Sequence, residues 1–114
     1  MAEPSKNVKR LLRKYASIAH EEELRRELTR LDAAFEKWKK GDMMSGELTD
    51  FIHQFHQGPA RELFLRYNTG MLDMAVASAI VKGILDKNQV PPEVLDYLSK
   101  AISFFEEEKS LGVN

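Results

Sequence analysis

Apolar residues recur along this chain at intervals of three and four, and no useful stretch alternates apolar with polar positions. A period near 3.6 without a period of two predicts an all-α, compact multi-helix bundle with no β-sheet. About six helices joined by short loops are expected. The first, about residues 5–17, carries Val8, Leu11, Leu12 and Tyr15 on one stripe. The second, about residues 20–40, carries Leu24, Leu28, Leu31, Phe35 and Trp38 at spacings of 4, 3, 4 and 3, a short heptad seam that suits packing in a bundle. Extended backwards, this seam reaches Glu21, Ser17 and Lys14 and misses the first stripe. The two patterns are out of phase, which predicts a bend or break near Ser17–Glu21. Glu21, Glu22 and Glu23 would then occupy a first turn, where the helix dipole favours acids.

Lys39, Lys40 and Gly41 form a C-terminal signal. Ser45 is the expected N-cap of a third helix over residues 46–57, where Leu48, Phe51, Ile52 and Phe55 share a face. Gly58 is expected to end that helix with positive φ, and Pro59 to open a fourth that runs to Asn68 with Leu63, Phe64 and Tyr67 inward. Thr69 is placed as cap of a fifth helix, Gly70–Asp86, apolar nearly all round and therefore buried in the bundle or at a subunit interface. Pro91 opens the sixth, about 91–109, with Leu95, Leu98, Ile102 and Phe105 as its inner stripe. Glu106, Glu107 and Glu108 oppose its dipole and predict a fraying end.

Composition narrows the class. A chain of 114 residues with 43% hydrophobic and 31% charged content fits one soluble domain, 1–114. The absence of cysteine excludes disulfides, zinc–thiolate sites and thiol catalysis. Residues 1–20 show no apolar leader, and the longest apolar run, Met71–Leu85, is too short to span a bilayer, so a cytoplasmic protein without a membrane partner is expected. The net charge of −1 is unevenly placed, because Lys6, Lys9, Arg10, Arg13 and Lys14 face Glu3 alone among residues 1–20. That basic patch is a candidate for nucleic acid or an acidic partner, with a solvated helix face as the plainer reading.

The best place for chemistry is the Gly-Pro junction. Asp50, His53 and His56 recur at intervals of three, with Arg61 and Glu62 just beyond. On an ideal helix with Leu48 at zero, His56 falls at about 80°, His53 at about 140° and Asp50 at about 200°. His53 and His56 are the weak metal candidates, although a di-metal carboxylate bundle needs two Glu-x-x-His motifs and this chain has one approximate copy, with Asp50 in place of Glu. Acid–base work by the histidines with Asp50, Glu62 or Arg61 has no matching motif either. Read as a helix-turn-helix, the junction is too short and its second helix too poor in basic and amide groups.

The expectation is therefore a non-enzymatic cytosolic interaction or regulatory module acting through helical surfaces, as a homodimer or with another protein, without a cofactor. Met71, Ala75, Ala79 and Gly83 form a small-residue edge along the fifth helix and are the candidate interface. The rivals are a small metal or acid–base site at the His53/His56 bend, and binding of nucleic acid or an acidic partner, as in an antitoxin-like accessory protein, through the basic first helix.

Overall fold

The structure, a computed structural model describing residues 3–112, is all-helical, with no strand among the described residues. Its first element, α1, runs without interruption from Lys6 to Lys39. The expected break at Ser17–Glu21 is absent. That segment holds neither Gly nor Pro, and Ala19 within it is fully buried. Exposed i,i+4 pairs, Glu21–Arg25 at 3.4 Å and Glu22–Arg26 at 2.7 Å, also bridge the turns that follow. The two stripes are out of phase because they face different neighbours. Val8, Leu11, Leu12, Ala16 and Ala19 are buried in the first half, and Ala34 alone in the second.

Gly41, at φ +85°, closes α1 with Gly41 N–H on the Trp38 carbonyl and Asp42 N–H on that of Lys37. The chain reverses into α2, Ser45–Phe55. Its N-cap is Met44, not Ser45. Met44 N–H donates to Glu47 Oε1 at 3.2 Å, while Ser45 Oγ accepts from Trp38 Nε1 at 3.0 Å and ties the turn to α1. The Gly-Pro junction does not break the helix. A π turn, His56–Ala60, carries the chain directly into α3, Arg61–Asn68, and Gly58 has no positive φ. Pro59 has no N–H for the Phe55 carbonyl, and a one-residue widening of the helix absorbs the proline where a stop was expected.

The next helix, α4 (Leu72–Val81), lies at the centre of the bundle against α1, α3 and α6. Its cap is Met71, and Thr69 instead ends α3, its hydroxyl donating to the Leu65 carbonyl at 2.8 Å. Nor does it reach Asp86. Gly83, at φ +77°, places its own N–H on the Ile80 carbonyl and that of Ile84 on the Ala79 carbonyl, closing the helix early. A 3-10 turn, Lys87–Gln89, leads to α5, Pro92–Tyr97, and α6, Ser99–Ser110, in place of one helix. The step is slight, since Leu98 (φ −89°, ψ 4°) still accepts a bond from Ile102 N–H at 2.8 Å.

The core joins α1's first half to Leu63 and Tyr67 of α3, Ala75, Val76, Ala77, Ala79 and Ile80 of α4, and Val94, Leu98 and Ile102 beyond. Lys109 Nζ reaches the Val81 carbonyl at 3.2 Å, so the end of α6 is fastened to α4 despite its glutamates. The molecule measures 55 × 31 × 22 Å, and its long dimension follows from α1. At about 1.5 Å per residue that helix alone spans about 51 Å.

The glycines give a test of this backbone. A Cβ at Gly83 meets nothing within 4 Å, yet its φ of +77° strains any other residue, so Gly83→Ala should cost about 1–2 kcal/mol. At Gly58 the helix-propensity gain of alanine, about 1 kcal/mol, opposes its crowding by the following proline, and Gly58→Ala should lie within about 1 kcal/mol of wild type. Denaturant melts should rank Gly83→Ala as the more damaging. The reverse order would mean that α2 does end at Gly58.

Candidate functional site

The residues singled out at the junction do not converge. Asp50, His53, His56, Arg61 and Glu62 are all exposed. His56 and Arg61 line an open hollow of about 480 Å³ with Gln57, Ala60 and Phe64. Glu62 lines a different one, of about 270 Å³, beside Glu23, Arg26, Arg30 and Arg66. Asp50 and His53 belong to neither. Among the described residues no three of His, Asp and Glu are grouped to hold a metal ion.

The candidate interface on α4 is divided by its own fold. Ala75 and Ala79 are buried, where their small size lets neighbouring helices approach, although Ala75 also borders, with Met71, Met74, Ser78 and Phe105, an open hollow of about 400 Å³. Met71 is exposed at the helix start and Gly83 sits in the closing turn. The basic patch, by contrast, is intact. Lys6, Lys9, Arg10, Arg13 and Lys14 are all exposed along one flank of α1, opposite Val8, Leu11 and Leu12. Among the described residues none of them is ion-paired, since the salt bridges lie within residues 21–39 and between Glu23 and Arg66.

One polar cluster had no signal in the sequence. The Tyr67 hydroxyl of α3 donates to Glu23 Oε2 of α1 at 2.5 Å, Arg66 Nη1 approaches the same oxygen at 3.4 Å, and the His20 ring stacks on Tyr67 with centroids 5.6 Å apart. Tyr67 and Glu23 are 44 positions apart, so no local pattern joins them. Glu23 sits mid-helix and not in a first turn, which makes it a fastening point between α1 and α3. Burial, and then the hydrogen bond and charge of Glu23, raise the Tyr67 pKa well above its ordinary value.

An apolar face is left uncovered along the α1–α2 hairpin. Along the second half of α1, Leu28 and Trp38 are 46% and 40% exposed, while Leu31 and Phe35 are half-buried. Among the described residues α2 has α1 as its one substantial partner apart from the π turn that continues it. Its Leu48 is buried, but Phe51 and Ile52 remain 37% and 38% exposed. Phe51 and Phe55 border a slot of about 210 Å³ with Glu27 and Arg30, on one side of the hairpin. Ile52 is about 100° from Phe51 on α2 and turns to the other side, where Leu28 lies. Two helices alone cannot cover both apolar stripes, and that side stays open.

The chain matches no family model, and neither a curated protein nor a solved structure is similar to it. Its function is therefore read from these surfaces.

The Tyr67–Glu23 bond yields a pH test. The unfolded tyrosine releases its proton near pH 10, about its ordinary pKa, whereas the folded one holds it. Stability is thus full below about pH 10 and falls as pH rises past it. Tyr67→Phe should cost about 1–3 kcal/mol at neutral pH and reduce this alkaline loss. Melts between pH 8 and about 11 check it. An unchanged alkaline slope in Tyr67→Phe would show that the hydroxyl titrates freely.

Proposed function

We propose that this chain is a non-enzymatic, cytosolic association module that binds another protein through the open side of the α1–α2 hairpin. The observation that carries the reading is the uncovered Leu28 and Ile52 beside half-buried Phe35, on a side of the helix pair that no third helix covers among the described residues. Exposed apolar groups of this size, set in one face and rimmed by charge, are the usual mark of an interaction site. No helix among the described residues is long and apolar enough to cross a membrane. The scattered histidines and carboxylates at the π turn supply no grouped chemistry that competes with this reading.

Replacing Leu28 and Ile52 together by glutamate tests it. Because both side chains are partly exposed, the melting temperature should change little, while association should be lost. Association is read both as the mass of the purified chain by light scattering and as proteins retained from native lysate. A variant that melts like a core mutant, or one that associates as before, would overturn the proposal.

The unpaired basic flank favours a second reading, attachment to a polyanion. Lys6 and Lys9 lie in the first turn of α1, where the helix dipole disfavours cations, and an external anion would relieve that repulsion. Their apolar counterparts Val8, Leu11 and Leu12 are buried, so a lipid surface gains no insertion there. Duplex DNA should then bind with a log–log salt slope of about −3 to −4, reduced by about 1 for each of Lys6, Arg10 and Arg13 changed to alanine. Binding that ignores both salt and these changes would exclude the flank.

A further inference from the structure

The open side of the hairpin is self-complementary when reversed. The stretch 21–40 of α1 begins with Glu21, Glu22 and Glu23 and finishes with Lys37, Lys39 and Lys40. Its seam, Leu24, Leu28, Leu31, Phe35 and Trp38, is close to its own mirror image about Leu31. Turned end for end, Leu31 meets Leu31 and Leu28 lies beside Phe35, while Leu24 stays packed on the chain's own core. Parallel alignment would instead set Glu against Glu and Lys against Lys.

The rim charges repeat the pattern. Glu21 pairs with Arg25 at 3.4 Å and Glu36 with Lys39 at 3.5 Å, all of them largely exposed. Glu21 and Arg25 flank Leu28 in an open hollow shared with Thr29 and Asp32. In the reversed alignment the Glu21–Arg25 pair of one copy comes beside the Glu36–Lys39 pair of the other, so acids face bases around a square.

We infer that the occupant of the open face is a second copy of this chain, antiparallel along α1 with the two-fold axis near Leu31, so that two hairpins make a four-helix bundle. This rests on the association reading above and names its partner. The hairpin face, about 30 Å long and about 20 Å broad, offers about 600 Å² per copy. The total of about 1,200 Å² is at the small end of specific interfaces.

The natural chain has no cysteine, so single thiols report cleanly. Under mild oxidation Leu31→Cys should form a covalent dimer. Trp38→Cys should not, since its two copies lie about 21 Å apart along the axis, far beyond disulfide reach. Independently, Glu21→Lys should weaken the dimer about fivefold by light scattering, and Glu21→Lys with Lys39→Glu in the same chain should restore it. A wild-type chain that stays monomeric at its highest soluble concentration overturns the inference. So does Trp38→Cys linking as readily as Leu31→Cys, or a double reversal weaker than the single one. If the monomer still retains a different protein in a Leu28-dependent way, only the second-copy inference falls; if nothing is retained, the association reading falls with it.

Discussion

A 34-residue helix is longer than the rest of a small chain can sheath, and the architecture follows from that mismatch. The elements from α3 to α6 pack around the first half of α1, with Val76 and Val94 wholly out of water and Leu98 nearly so. Burying each such side chain contributes about 1.5–3 kcal/mol, and this end holds the fold together. Among the described residues the second half of α1 receives α2 and the π turn that continues it, with α3 reaching its start at Glu23. Its seam is covered on one side and wet on the other, which turns a packing shortfall into an exposed apolar surface.

The helices themselves were legible because their stripes have a clear 3.6-residue period and their ends carry strong signals. Lys39-Lys40-Gly41 predicts the end of α1, and Gly41 adopts the positive φ that such a signal requires. Where expectation and structure part, a local rule met a tertiary neighbour. The phase slip near Ser17–Glu21 is a change of buried face on one rod. Periodicity reports which side is apolar, and a straight helix changes sides freely when different elements pack on its two halves. At Gly58-Pro59 a strong stop signal is absorbed by a π turn, since the lost hydrogen bond costs less there than abandoning the packing of α3 on α1.

Surfaces were less legible than the core. His53 of α2 and His56 of the π turn share a spacing but not a pocket, because no other element brings a third group beside them. The alanines of α4 do serve close approach, yet it is the chain's own helices that approach. The Tyr67–Glu23 bond spans α1 and α3 and has no counterpart in local sequence. Reading the heptad seam as bundle packing holds for the flank that α2 covers. Only the structure distinguishes the covered flank of that seam from the open one.

The central claim is that α1 is one rigid rod whose two halves bury different faces. Spin labels at Arg13→Cys and Lys37→Cys, both exposed positions in a chain with no other cysteine, measure it directly when the doubly labelled chain is diluted into excess unlabelled chain, which leaves only distances within one copy. A continuous helix separates these positions by about 36 Å along its axis and predicts a narrow distance distribution near that value. A broad distribution, or one centred below about 25 Å, would mean that α1 breaks between its two stripes and would contradict the account.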